Sequence, residues 1–395
     1  MPMRRSSRTT NDDLLSGWKE IANYLHCSTK TAQRWEESDE LPTIRPEKTT
    51  SLKGPVFASR RALDLWLKGS IGKVVLTDDQ LIAFGRGSKP LWARQFPSRL
   101  RGYSPEELAW RLQIVDLPGS GDKGVLVAVQ LDSAKEAENL TYFTAEGKLV
   151  WSVDISPDLK KAGEVLFENA WTIKHLVVVP ERSGHTIWAA LANNAGWGGC
   201  VLRFDAHGRS DLRFANAGFV EHLGLVALAG ERCLVLCGEN NDFDLAFVAL
   251  LGIDDAPSCS IPGKRTVYRF ANAPDARPRK YILFPRSELI VARQKPYGHT
   301  TGLHLYQDRL VVHVETGGEG ASFLYHFAPD LEPMYAFPSG SHEFAHQALE
   351  HDGALDHPWT QCPERKSPLS LRIWKGVTGW RTSKIPWRDD PWKDD

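Results

Sequence analysis

A hairpin that recurs four times leaves this chain few folds to choose from. LIAFGRGSKPLW (81–92), LTYFTAEGKLVW (140–151), VLRFDAHGRSDL (201–212) and LYHFAPDLEPMY (324–335) each read as an apolar strand, a polar turn and a return strand. Their phenylalanines, Phe84, Phe143, Phe204 and Phe327, stand 59, 61 and 123 residues apart, so one degenerate copy is expected between the last two. Strands such as GVLVAVQ, HTIWAAL and RCLVLCG fall between the hairpins. An open row of such units would leave unpaired strand edges, and ring closure removes them. A β-propeller-like domain is therefore expected over 72–375, with room for about five blades at this period. The first hairpin lacks a full blade before it. Leu369–Trp374 is accordingly expected to complete the ring beside it.

Composition excludes several classes. Of 395 residues, 48 are Lys or Arg and 49 Asp or Glu, a net charge of −1. No apolar run reaches the length of a membrane span, and Met1–Thr10 carries no hydrophobic segment of a secretory leader. A soluble cytoplasmic protein without a membrane partner is expected. Cysteines 27, 200, 233, 237, 259 and 362 show no CxxC spacing, which argues against a disulfide scaffold or a zinc ribbon. Cys233 and Cys237 share one face of a strand and read as small buried hydrophobes.

The head of the chain has a different pattern. After a polar arm expected to be disordered (1–13), GWKEIANYLH places Trp18, Ile21, Ala22 and Leu25 on one helical stripe, with Ser16 as N-cap. Ser28 then caps a second helix, Thr29 to Glu37. Ala32 and Trp35 face inward, and Lys30, Gln33, Arg34 and Glu37 face out. Leu41–Ile44 and Pro55–Ala58 flank a polar tip, Glu47 to Gly54, and read as a wing-like hairpin. A third helix opening at Ser59 offers Ala62, Leu63, Trp66 and Leu67 to a small core. Residues 1–69 hold 12 Lys/Arg against 9 Asp/Glu, leaving 36 against 40 in the remainder, so the large part is not a nucleic-acid surface overall.

GWKEIANYLHCSTKTAQRWE, the following LP, a basic hairpin and VFASRRALDLWL together resemble the winged-helix domain of MerR and excisionase-like DNA-binding proteins. The resemblance covers about one sixth of the chain. It implies that the second helix enters the major groove of double-stranded DNA, with Lys30, Gln33 and Arg34 reading bases. Ser28, Thr29, Thr31, Lys48, Lys53, Arg60 and Arg61 would contact phosphates. The FDxxG and FTxEGxLVW hairpins resemble blades of pyrroloquinoline-quinone-like or FG-GAP-like propellers, a likeness of architecture alone. VDLPGSGDKGVLVA (115–128) keeps Asp116 and Asp122 of the FG-GAP calcium loop and lacks the rest, so calcium is not expected there. The pairing of such a head with a propeller-like region is similar to that in a set of uncharacterised bacterial proteins.

Enzymatic motifs are sparse. His342-Glu343-Phe344-Ala345-His346 matches HExxH, in which two histidines one helical turn apart bind zinc and the glutamate activates water. His351 follows His342 by nine residues, one short of the metzincin spacing. The competing interpretation is a short helix, Glu343 to Glu350, capped by Ser341, ending near Gly353 and packing through Phe344 and Leu349. Glu239, Asn240, Asn241, Asp242 and Asp244 form the densest polar cluster, suited either to a ligand at a propeller mouth or to an ordinary turn. Trp92 and Trp151 recur at one repeat position and read as packing between blades.

The fold class expected is thus multidomain: a small mainly-α winged helix-turn-helix (14–69), then an all-β propeller-like domain (72–375) and a C-terminal tail (376–395). The function expected is a DNA-binding transcriptional regulator whose propeller is a platform for a protein or small-molecule ligand. It is not expected to be an enzyme, and no cofactor or metal is assigned. Two alternatives are a non-enzymatic protein-interaction scaffold and a zinc metallohydrolase acting through HEFAH 342–346.

Overall fold

The structure, a computed structural model, describes residues 13–38, 41–45, 55–69, 71–85, 90–132, 138–160, 171–182, 184–265, 268, 270–317, 320–366 and 369–388. Strands hold 47% of the chain and helices 17%. The fold is mostly β, built of successive antiparallel sheets as the repeat predicts, and among the described residues no small mainly-α winged-helix domain stands apart from it, which corrects the expected fold class. The chain leaves no room for that separation. The helices of the head, α1 (Trp18–Tyr24), α2 (Thr29–Ser38) and α3 (Arg60–Gly69), are too short to be stable alone. α3 ends at Gly69 and β3 (Ile71–Leu76) follows almost at once. One compact unit holds Met1–Gly102 together with Leu112–Val127 and Thr141–Ser152.

Within this first unit, β1 (Leu14–Ser16) pairs antiparallel with β2 (Phe57–Ser59), Leu15 opposite Ala58. That pairing replaces most of the expected hairpin. Among the described residues Leu41–Ile44 meets the return run in a single bridge, Ile44 to Phe57, and the tip Glu47–Gly54 lies outside them. So does the expected disordered arm, apart from Asp13, whose carboxylate accepts from Ser59 Oγ at 2.8 Å and from the Arg61 amide at 3.2 Å. Ser16 does not cap α1. Gly17 does, at φ +83°, while the Ser16 amide donates to Glu20 at 2.8 Å. Leu15, Ile21, Ala22, Leu25, Ala32, Leu41, Val56, Ala58 and Leu63 are buried together, with Trp35 and Trp66 edging them at 5.6 Å. The side chain of Leu67 lies outside the described set.

The repeat then begins. β3, β4 (Gln80–Gly85) and β5 (Pro90–Gln95) form an antiparallel meander. A second sheet follows in the order β6 (Leu112–Val115), β7 (Gly124–Val129), β8 (Asn139–Phe143), β9 (Leu149–Asp154). Trp92 joins the two sheets: its indole N–H donates to the Ala145 carbonyl at 2.8 Å and its ring packs on Phe143 at 5.8 Å. Gly147, at φ +77°, lies where a Cβ would come within 2.5 Å of that indole. Packing between sheets thus explains Trp92, as its repeat position suggested. Asp116 closes the turn before β7, accepting from the amides of Ser120 and Gly121.

The second unit comprises Tyr103–Arg111, Ala128–Leu140 and Val153–Asp395. It holds three sheets. In the first, β10 (Trp171–Glu181), β11 (Gly184–Asn193), β12 (Gly198–Phe204) and β13 (Ser210–Asn216) run antiparallel. In the second, β14 (Val220–Leu228), β15 (Glu231–Asn240) and β16 (Leu245–Gly252) are followed in chain order by β17 (Ser258–Cys259), which leaves to pair parallel with β13. β18 (Lys280–Leu283) then returns to β16. The third sheet is β19 (Thr300–Leu305), β20 (Leu310–Glu315), β21 (Ser322–Phe327) and β22 (Pro333–Pro338). Phe143, Phe204 and Phe327 each end the third strand of their sheet and are buried. The hidden copy is β14–β18. Its third strand ends on Leu251-Gly252, where the Arg279 and Asp255 side chains occupy the place a larger residue would need.

β23 (Leu369–Trp374) does not close a ring beside the first hairpin. It pairs antiparallel with β18, opposite Ile282, and β24 (Trp380–Ile385) extends that sheet further. The expected tail is therefore strand up to Ile385, and Trp387 packs on Phe323 at 5.7 Å. Ile373 and Ile385 are buried with Cys233, Cys237 and Val248 in one core, which is why the strands are held there. α4 (Pro105–Arg111) ends in a buried Arg111 that bonds Glu138 at 3.1 Å and 3.2 Å and the Ile173 carbonyl at 2.7 Å, the pairing a buried charge requires. No helix among the described residues is long and apolar enough to cross a membrane.

Candidate functional site

α2 carries the best-formed candidate. Ser28 Oγ accepts from the Thr31 amide at 3.1 Å and lies 2.7 Å from Thr31 Oγ1, so it caps the helix as its sequence position predicts. With the register set, burial of Ala32 turns Lys30, Gln33 and Arg34 outward, and all three are exposed. Ser28, Lys30, Thr31, Gln33, Arg34 and Glu37 line a shallow recess of about 400 Å³. The structure therefore brings five of the ten expected DNA contacts to one place. Thr29 is exposed on the same helix without lining the recess.

The remaining contacts divide. Arg60 and Arg61 are exposed at the start of α3, where the Arg60 guanidinium stacks on the Tyr24 ring at 5.0 Å. Lys48 and Lys53 lie outside the described residues. A feature missed in the sequence decides the charge of the α2 face. Arg45 binds Glu36 through two bonds, at 3.0 Å and 2.7 Å, and Thr43 donates to the same carboxylate at 2.6 Å. Those bonds hold the Glu36 carboxyl below its usual range and hold its charge against Arg45, away from the recess. Of the acidic groups on this helix, Glu37 alone lines the recess, against Lys30 and Arg34.

The polar cluster after β15 is a structural network. Asn240 Nδ2 donates to Tyr281 Oη at 2.7 Å, Tyr281 Oη to Asn216 Oδ1 at 3.2 Å, and Asn216 Nδ2 to the Gly218 and Glu239 carbonyls at 2.8 Å. Asn241 donates to the Trp197 carbonyl, Asp242 accepts from the Gly263 amide, and Asp244 pairs with Arg265. Glu239 differs: burial, reinforced by Glu221, pushes its carboxyl up to about 7.

HEFAH also folds differently from expectation. α6 (Gly340–His351) starts earlier, and its cap is Ser339, whose Oγ accepts from the His342 amide at 3.3 Å. Phe344 is 74% exposed and does not pack, whereas Leu349 is buried. His342 and His346 are both fully buried, but His342 Nδ1 is taken by Thr316 Oγ1 at 2.8 Å and His351 is exposed. The metzincin-like set of His342, His346 and His351 is not assembled.

No protein-family model and no curated protein matches the chain. Among solved structures it is similar to the Dos1 propeller at 10% identity, covering 82% of this chain and 69% of that one, with a TM-score of 0.36. It is also similar to a functionally unknown protein from Desulfotomaculum acetoxidans at 9% identity, covering 89% and 98% with a TM-score of 0.34. A third is a protein of unknown function from Bacteroides caccae at 11% identity, covering 69% and 82% with a TM-score of 0.30.

Proposed function

We propose that this chain is a DNA-binding regulator in which α2 lies against a duplex while the β sheets serve as a platform for a protein or small-molecule partner. The observation that carries the reading is the capped helix with Lys30, Gln33 and Arg34 exposed together around one recess, where Glu37 is the one acid of the helix, Glu36 being bound to Arg45. The i, i+3, i+4 spacing sets these three on one side of a helix narrow enough for the major groove. Lys30, Gln33 and Arg34 are the side chains for base edges, and Ser28 and Thr31 for phosphates. The resemblance of the α1–turn–α2 segment to the reading helices of MerR-like proteins supports the same assignment.

A pure protein-interaction scaffold is the second reading, favoured by the small basic excess of residues 1–69. Titrating the full chain against random and selected duplexes separates the two. The regulator binds with an affinity that falls as salt rises, and Arg34→Ala weakens it about tenfold or more. The scaffold shows neither behaviour.

A further inference from the structure

We propose that Glu288, His346, His357 and Cys362 form a structural zinc site that ties the short helix opening at Glu288, between β18 and β19, to the helical excursion between β22 and β23. Their ligand atoms all lie within 4.8 Å of one another. His346 Nε2 is 3.1 Å from Glu288 Oε1, His357 Nε2 is 3.3 Å from Glu288 Oε2, and Cys362 Sγ is 2.8 Å from Glu288 Oε1. Four donors at zinc bond lengths of roughly 2.0–2.3 Å stand about 3.3–3.8 Å apart in a tetrahedron, so small side-chain adjustments complete the shell.

Four further observations point to a cation. Both ring nitrogens of His346 are buried without a hydrogen-bond partner, in a side chain with no exposure at all. A buried imidazole nitrogen without a hydrogen bond is costly, and a metal on Nε2, which faces Glu288 Oε1 without hydrogen-bond geometry, removes the cost at that nitrogen. His357 Nδ1 is held by Asp356 Oδ1 at 2.9 Å, which directs Nε2 into the cluster in the carboxylate–histidine arrangement of metal sites. Glu364 in turn anchors the Glu288 amide at 2.9 Å, where Ser287 opens α5 (Glu288–Ala292). His357 and Cys362 are separated by four residues, a spacing common in short zinc loops, and Cys362 directly precedes α7 (Pro363–Lys366).

Charge and stability agree. On binding, the Cys362 thiol gives its proton to solvent and the sulfur donates an electron pair to the metal. Thiolate and carboxylate then balance a divalent ion, with two neutral imidazoles completing the shell. The thiolate disfavours magnesium and calcium, and four protein donors leave no open position for substrate water. The apolar cluster between α5 and α6 is Leu289, Ala321, Ala345 and Leu349, and the site adds a tie from Glu288 to the loop that follows α6.

The test is metal analysis of the full-length, tag-free chain expressed with zinc in excess. One zinc per chain is expected, with Cys362→Ser and His357→Ala each losing it at least tenfold and His351→Ala retaining it. Asp356→Asn, a change at an exposed side chain, should keep the fold and weaken zinc binding by 10- to 100-fold. Cobalt exchanged into the wild-type chain should show a thiolate-to-metal charge-transfer band, which tests the sulfur ligand even if Cys362→Ser fails to fold. A wild-type chain without zinc, a cobalt complex lacking that band, or Cys362→Ser and His357→Ala retaining full zinc would each overturn the site. None of these outcomes depends on whether α2 binds DNA.

Discussion

Single side chains show where this protein stores its sensitivity to pH. Glu239 is 4% exposed, and burial beside Glu221 raises its carboxyl to about 7 from an unfolded value of 4.5. The folded state thus prefers the protonated acid. Its contribution is fully present below pH 4.5 and is lost as pH rises through 7. Glu239→Gln should therefore leave stability unchanged at pH 4 and raise it by roughly 2–3 kcal/mol at pH 8.5, measured by urea unfolding. His175 and His222 behave in the opposite direction. Burial lowers both to about 4 from 6.5, their rings 6.1 Å apart. The stability they contribute is complete above pH 6.5 and falls as pH drops to 4, because the unfolded chain takes up their protons first. Replacing both with Gln or Phe should flatten the stability profile between pH 6.5 and 4; an unchanged slope would show that other groups set it.

At the level of elements, helix caps decide boundaries that sequence patterns leave two residues wrong. Ser339 Oγ accepts from an amide of α6, whereas Ser341 lies inside the helix and is exposed. Ser339→Ala should cost about 1 kcal/mol and Ser341→Ala nearly nothing, a difference that thermal unfolding resolves. Equal effects would return the cap to Ser341. The same limit explains what could be read in advance. The repeat hairpins were legible because alternation and a recurring phenylalanine are local signals, and so was the register of α2, set by Ala32 and Trp35. The β14–β18 copy was not, since Gly252 stands where a phenylalanine ends the third strand of three other sheets, and residues 253–279 interrupt the period. Nor was the pairing of β1 with β2, or of β23 with β18, which joins residues far apart in sequence. The Glu288, His346, His357 and Cys362 cluster carried one usable hint, the close spacing of the last two. HExxH pointed to His346 as well, but paired it with His342 and His351, and only tertiary packing shows that His346 alone of the three belongs to the cluster.

For the molecule as a whole, the fold is mostly β, in successive antiparallel sheets, and its first compact unit carries a short capped helix with an open basic side. The helical head does not need to be an independent domain to read DNA. It needs α2 exposed, its register fixed by the Ala32 and Trp35 side, and Glu36 kept on Arg45. Breaking that last contact supplies a control on the charge argument: Arg45→Gln should free the Glu36 carboxylate and weaken DNA binding without removing any residue of the recess.

Fluorescence anisotropy of the full chain with a labelled duplex, at two or more salt concentrations, judges this account. A plot of log affinity against log salt steeper than about −2, reduced by roughly one for Lys30→Ala, is the expected result. A flat plot, or Lys30→Ala and Arg34→Ala chains that bind as the wild type does, would mean that the open side of α2 serves something other than nucleic acid.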